Sequence, residues 1–96
     1  MARVFVAPGA SADLTHLIAS HHLPRNTRDR VKARLAQLAD FPRRGGELAG
    51  RWEGFRYIQG PWPWMLIIYA FDEEADRVNV VTIQDSRTAG AATGDR

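Results

Sequence analysis

The residues with the most chemical potential crowd between Arg25 and Arg56. Nine basic side chains, Arg25, Arg28, Arg30, Lys32, Arg34, Arg43, Arg44, Arg51 and Arg56, stand there against four acids, Asp29, Asp40, Glu47 and Glu53, a local charge of +5. From Tyr57 onward three basic residues meet six acidic ones, so the net charge of +2 conceals an uneven chain. Such a surface suits an acidic partner, nucleic acid or acidic protein; a solvated arginine-rich helix is the plainer alternative. Next to this segment, FRYIQGPWPWMLIIY (55–69) sets rings around one cation. Most of that stretch reads as core, with Trp52, Arg56 and Trp62 at its margin as candidates for contact. The chain has no cysteine, and His16, His21 and His22 share one segment without a carboxylate pattern beside them. Neither a disulfide, a metal site nor a cofactor is therefore expected.

The elements that must position these groups follow from periodicity. Ninety-six residues, 45% hydrophobic and 25% charged, fit one folded domain, taken as 1–88 with a flexible tail over 89–96. The longest apolar run, Trp64–Phe71, falls far short of the roughly 20 residues of a membrane helix, and no secretory leader is evident. A cytoplasmic protein without membrane contact is expected. Ala2–Ala7 reads as a first strand stopped by Pro8-Gly9. Leu14, Leu17 and Ile18 carry the helical spacing of a first helix from Ser11 to about His22, with Ser11 or Asp13 near its start as cap or dipole partner. Pro24 breaks it, and Val31, Leu35 and Leu38 mark a second helix that Asn26 opens and that ends near Asp40. Trp52–Gln59, Trp64–Phe71 and Arg77–Gln84 then read as strands of an antiparallel meander, joined through Gly60–Pro63 and Asp72–Asp76. The result is an α+β fold: an N-terminal strand, a two-helix hairpin and a three-stranded meander, with the helices on one face of a four-stranded sheet.

In the third of these strands both faces are apolar, Trp64, Leu66, Ile68 and Ala70 on one side and Met65, Ile67, Tyr69 and Phe71 on the other. Two short helices cover one face, and no further element is left for the second. A partner or a second copy is expected to lie over it, with Trp52, Trp62, Met65, Ile67, Tyr69 and Phe71 as the partner-binding set. Local filling by sheet twist, Trp62 and the tail is the alternative.

The succession Val4-Phe5-Val6, Ala12-Asp13-Leu14, LADFPRRGGELAG (38–50), GFRYI (54–58) and MLIIYAFDEEADRVNVVTIQDSR (65–87) resembles the RelE/ParE superfamily of bacterial toxins over nearly the whole chain. That resemblance implies the same fold and a type II toxin neutralised by a cognate antitoxin, often an acidic segment wrapping a basic toxin. It allows a homodimer or a toxin–antitoxin hetero-oligomer. The superfamily divides by target. In its ribosome-dependent mRNA-cleaving branch, basic side chains stabilise the charge on phosphate while a base assists the 2′-hydroxyl. The matching positions here are Arg51, Arg56 and Arg87, with Glu47 or Glu53 as base, although an acid in a basic loop more often serves as an ion-pair partner. Yet Leu66 stands where such members often carry arginine, and Met65 where they carry tyrosine. The IQDSR ending (83–87) resembles the ParE-like branch, which poisons DNA gyrase by contact and needs no catalytic side chain. A ParE-like toxin is therefore the expected function. An RNase with a nonstandard base, or a non-toxic antitoxin-binding or dimerising module, are the alternatives.

Overall fold

The computed structural model describes residues 1–88 and 90–95. Its elements are β1 (Arg3–Val6), α1 (Pro8–Ser20), α2 (Thr27–Asp40), β2 (Gly46–Glu47), β3 (Arg56–Gln59), β4 (Met65–Asp72) and β5 (Arg77–Asp85), with 3₁₀ turns at Gly50–Trp52 and Ala92–Asp95. One sheet holds all five strands in the order β1-β5-β4-β3-β2. The α+β architecture and the β3-β4-β5 meander are as the sequence predicts. Two features were not legible. β1 runs parallel to β5, with Arg3 opposite Arg77 and Val6 opposite Val80. A two-residue β2 adds a fifth strand, pairing Gly46 with Tyr57 and Glu47 with Arg56.

Local signals explain where boundaries moved. Proline fits the first turn of a helix, where its missing N–H has no partner to lose, so Pro8, after the strand has ended at Val6, already starts α1, three residues before the expected Ser11. Asp13 then lies inside the helix. Because β1 stops pairing at Val80, the far edge of β5 opens from Val81, and the Asp13 carboxylate accepts from Thr82 Oγ1 at 2.5 Å and the Ile83 N–H at 3.3 Å. The acid fastens α1 to the sheet and does not cap it. Asn26 makes no side-chain cap on α2; Thr27 Oγ1, fully buried, donates to the Pro24 carbonyl at 2.6 Å. The strand expected from Trp52 begins only at Arg56, because Gly50 and Gly54 take φ of +65° and +92° and fold the preceding residues into a turn.

The core lies on both sides of β4. Under the helices, Met65, Ile67 and Tyr69 join Val78, Val80, Ile83, Leu14, Leu17, Val31, Leu35 and Leu38. Met65, Ile67 and Tyr69 are completely buried, which corrects their reading as a partner surface: they face the chain's own helices. Phe71 is half-buried at the margin of the same cluster. The second face is not bare either. Leu66 and Ile68 lie beneath Leu48, Trp52, Phe55, Tyr57 and Val81, closed by Ala92. A register shift after Ile68, where Ile68 pairs with Thr82 and Tyr69 with Val80, leaves Val81 unpaired in a bulge. The described part of the tail is packed, with Ala91 and Ala92 buried and the Ala92 N–H donating to Gln84 Oε1 at 2.8 Å; Ala89 and Arg96 lie outside the described residues.

Candidate functional site

The arginines singled out by sequence occupy separate places. Arg56 opens β3 and reaches back across the 43–47 loop, donating through Nη1 to the carbonyls of Gly45 (2.9 Å) and Arg43 (3.2 Å) and through Nη2 to Glu47 (3.3 Å). Beneath it the Gly45 N–H donates to the Tyr69 hydroxyl at 2.9 Å. Burial pushes that phenol above its ordinary value, opposed by the Gly45 bond and the Arg56 charge. A Cβ on Gly45 would stand 2.6 Å from both the Tyr57 carbonyl and the Tyr69 hydroxyl, so glycine is required by close approach. Glu47 is the ion-pair partner of Arg56. Arg56 thus holds a loop in shape.

Arg87 sits at the other end of the sheet. Its backbone N–H and Nε donate to Asp85 Oδ1 at 2.9 and 3.0 Å, and Nη2 donates to Oδ2 at 2.8 Å. That fork, with the His21 ring added, holds the Asp85 carboxyl far below its ordinary range against the cost of desolvation. In strand register Arg56 lies opposite Tyr69, itself opposite Val80, whereas Asp85 lies opposite Met65. Four residues of β4, roughly 13 Å, separate the two levels. Arg51, in the turn before β3, donates to the Gly90 carbonyl at 3.3 Å. The three do not converge on one point.

What the fold does gather is a set of residues that the sequence kept apart. His21 Nε2 lies 3.1 Å from Asp85 Oδ2, and its Nδ1 lies 3.0 Å from Ser20 Oγ. Trp64 stacks on the imidazole with ring centroids 4.5 Å apart, and the Arg87 guanidinium lies 5.1 Å from the Trp64 ring. Trp62 stacks on Trp64 at 6.3 Å, and Arg30 of α2 covers Trp62 at 4.7 Å. The GPWPW corner therefore puts two stacked indoles between α1, α2 and the end of β5, with one guanidinium at each end, Arg30 on Trp62 and Arg87 on Trp64. A 380 Å³ groove lined by His16, Ser20, His21, Asp85 and Thr88 opens beside it. No partner for His21 is legible in its own segment; the one signal is the Asp85-Ser86-Arg87 ending, which says nothing of what packs against it. Trp52, half-buried, meets Phe55 edge-on at 5.6 Å, and its Nε1 is buried without a partner. No group of three or more metal-ligating side chains occurs among the described residues.

With this geometry in place, comparison with known proteins becomes decisive. The family described as ParE toxin of type II toxin-antitoxin system, parDE, matches residues 4–90. The chain belongs to this family. No curated protein matches it. Among solved structures, this ParE-family chain is similar to one in the intact Escherichia coli RelBE toxin-antitoxin complex, at 15% identity and TM-score 0.65, covering 92% of this chain and 100% of that one. The isolated E. coli RelE toxin gives 15% identity and TM-score 0.63 over 98% and 94%. The RelBE2 toxin-antitoxin complex of Mycobacterium tuberculosis gives 21% and 0.60 over 88% and 96%. At such identities the likeness carries the fold, and the family supplies the class: a RelE/ParE-superfamily toxin of a toxin-antitoxin system.

Proposed function

We propose that this ParE-family toxin inhibits growth by binding a protein target such as DNA gyrase, and that a cognate antitoxin neutralises it. The observation that carries this reading is the separation of Arg56 from Arg87 along the sheet. Phosphoryl-transfer chemistry on RNA needs several groups aimed at one phosphate, and positioning dominates its rate. Here Arg56 is spent on loop carbonyls and Arg87 on Asp85, while buried Leu66 fills the place where RNases of the superfamily often carry arginine. Binding asks less of these side chains. Exposed arginine and half-buried tryptophan, found together at Arg30, Trp62, Trp64 and Arg87, are the residue types that dominate interface energies.

A second reading is favoured by His21. An imidazole hydrogen-bonded to a carboxylate can accept a proton, and Arg87, although forked on Asp85, is exposed and adds a cation beside it, so RNA cleavage would run through His21, Asp85 and Arg87 without Arg56. Controlled expression in bacteria without antitoxin separates the readings. Double-strand DNA breaks with intact message support gyrase binding. RNA 5′ ends inside translated codons, lost in His21→Ala, overturn it in favour of ribosome-dependent cleavage. Unimpaired growth with neither signal overturns both and leaves a non-toxic binding module.

A further inference from the structure

The four cations of α2 stand on two flanks of its buried stripe of Thr27, Val31, Leu35 and Leu38. By helical spacing Arg28 and Lys32 share the flank toward α1, where Arg28 donates to Thr15 Oγ1. Arg30 and Arg34 share the other, followed by Gln37, whose Oε1 accepts from Arg44 of the next loop at 3.3 Å. Arg30 lies over Trp62 at 4.7 Å, so this second flank starts at the GPWPW corner and runs toward β2. From position 30 to position 37 the helix rises roughly 10 Å, and along it three guanidiniums form a row. Beneath the row a 280 Å³ recess lies against β3, lined by Arg34, Gln37, Arg44, Gln59 and the glycines Gly45 and Gly46, and no carboxylate lines it. The acids nearby are placed elsewhere. Asp29 and Asp40 are exposed on the outer ridge of α2, while Glu47 and Glu73 are paired with Arg56 and Arg43 around a different recess. Among the described residues the Arg34 side chain has no hydrogen bond or ion pair, and no cation of α2 is paired with a carboxylate. The counter-charge for this flank therefore has to come from outside the chain.

We infer that the recess and its arginine row bind the sugar-phosphate backbone of a nucleic-acid duplex. One phosphate sits between Arg34 and Arg44, with the amide groups of Gln37 and Gln59 as further donors, and Arg30 takes a neighbouring phosphate of the same strand. Stacking on Trp62 leaves the in-plane N–H groups of Arg30 able to donate. Phosphate contacts of this kind hold a duplex without reading its sequence. An acidic protein segment fits less well. Protein interfaces centre on buried apolar or aromatic anchors, and of the exposed large apolar side chains, Met1, Phe5, Val6 and Phe41, none lines the recess. A single strand asks for rings on which its bases can stack, whereas Trp62 is already covered by Arg30 and Tyr57 packs into the cluster on the second face of the sheet. The inference goes beyond the proposed function and does not rest on it.

The test is fluorescence anisotropy of the purified protein with a labelled DNA duplex of arbitrary sequence, repeated over a series of salt concentrations. The parent is expected to bind with a slope of log affinity against log salt of about −2.7, three phosphates at about 0.9 each. Arg34→Gln is expected to lower that slope by about one. Arg34→Glu and Arg44→Glu each weaken binding at least about tenfold with the circular dichroism spectrum unchanged, while Lys32→Glu, the same change of charge on the opposite flank, weakens it less than about threefold. Equal weakening by Lys32→Glu and Arg34→Glu overturns the site, because attraction to overall charge then suffices. Absence of duplex binding at ~50 mM salt overturns it as well. Tighter binding of the separated single strand overturns the duplex assignment. Loss of binding to the purified product of the adjacent gene in Arg34→Glu, with duplex binding intact, assigns the row to an acidic protein instead. None of these results bears on the gyrase reading, which the expression assay decides separately.

Discussion

The two faces of β4 carry equally apolar side chains and are covered in different ways. On one, two long helices hold Met65, Ile67 and Tyr69 out of water, with Val78 and Val80 beside them. On the other, Leu66 and Ile68 are closed by a glycine-bounded turn bearing Trp52, by Phe55 and by a short tail segment at Ala92. Burial alone therefore says little about how rigid a site is; what matters is whether the cover belongs to regular elements with many bonds or to turns with few. The second face even tolerates a buried indole N–H with no acceptor.

Five substitutions sharpen that contrast. Ile67→Ala is expected to cost about 3–4 kcal/mol in urea unfolding, since α1 and α2 cannot collapse into the cavity, while Leu66→Ala costs about 2 kcal/mol because a turn and a tail can close over it. Equal losses would show that both covers are equally stiff. Gly45→Ala is expected to cost about 2 kcal/mol, because the added methyl meets the Tyr57 backbone as well as the Tyr69 hydroxyl. Retained stability would mean that the 43–47 loop shifts freely and that Arg56 does not fix it.

Asp85→Asn is expected to cost about 1 kcal/mol at neutral pH, a modest figure because its guanidinium partner is solvent-exposed. The sign with pH follows from linkage: a carboxyl held below its unfolded value stabilises above the ordinary carboxylate range, near pH 4, and loses that contribution as pH falls below it. Chemical unfolding at pH 7 and pH 3 should show the gap between parent and variant shrinking at the lower pH; a constant gap would exclude this origin. Smallest of all is Arg43→Ala. Its ion pair with Glu73 is exposed on both sides, and a loss of under about 0.5 kcal/mol is expected by the same measurement.

How much could be read beforehand differs between fold and site. Leu14 and Leu17, then Val31, Leu35 and Leu38, gave both helices at helical spacing, and the alternation through 65–71 gave a strand with two apolar faces. Those patterns reflect burial that each element needs whatever surrounds it. The reading failed where a residue's role depended on what came to lie against it. Met65, Ile67 and Tyr69 looked like a free surface because one-dimensional pattern does not say which face the helices take. Pro8-Gly9 marked the end of a strand and hid the start of a helix, because a proline that follows a strand and one that begins a helix leave the same mark.

Order of elements, secondary-structure type, absence of disulfide chemistry and family were settled by the chain itself, through local periodicity and the spacing of its motifs. Tertiary structure alone decided that His21 meets Asp85 across 64 residues, that Arg56 ties the 43–47 loop while Arg87 stands at the far end of the sheet, and that the tail closes the second face. These contacts rest on strand order and register, and above all on the parallel pairing of β1 with β5, which turns the end of α1 toward the end of β5. No local propensity encodes that pairing, because it is the joint minimum of every buried face in the molecule.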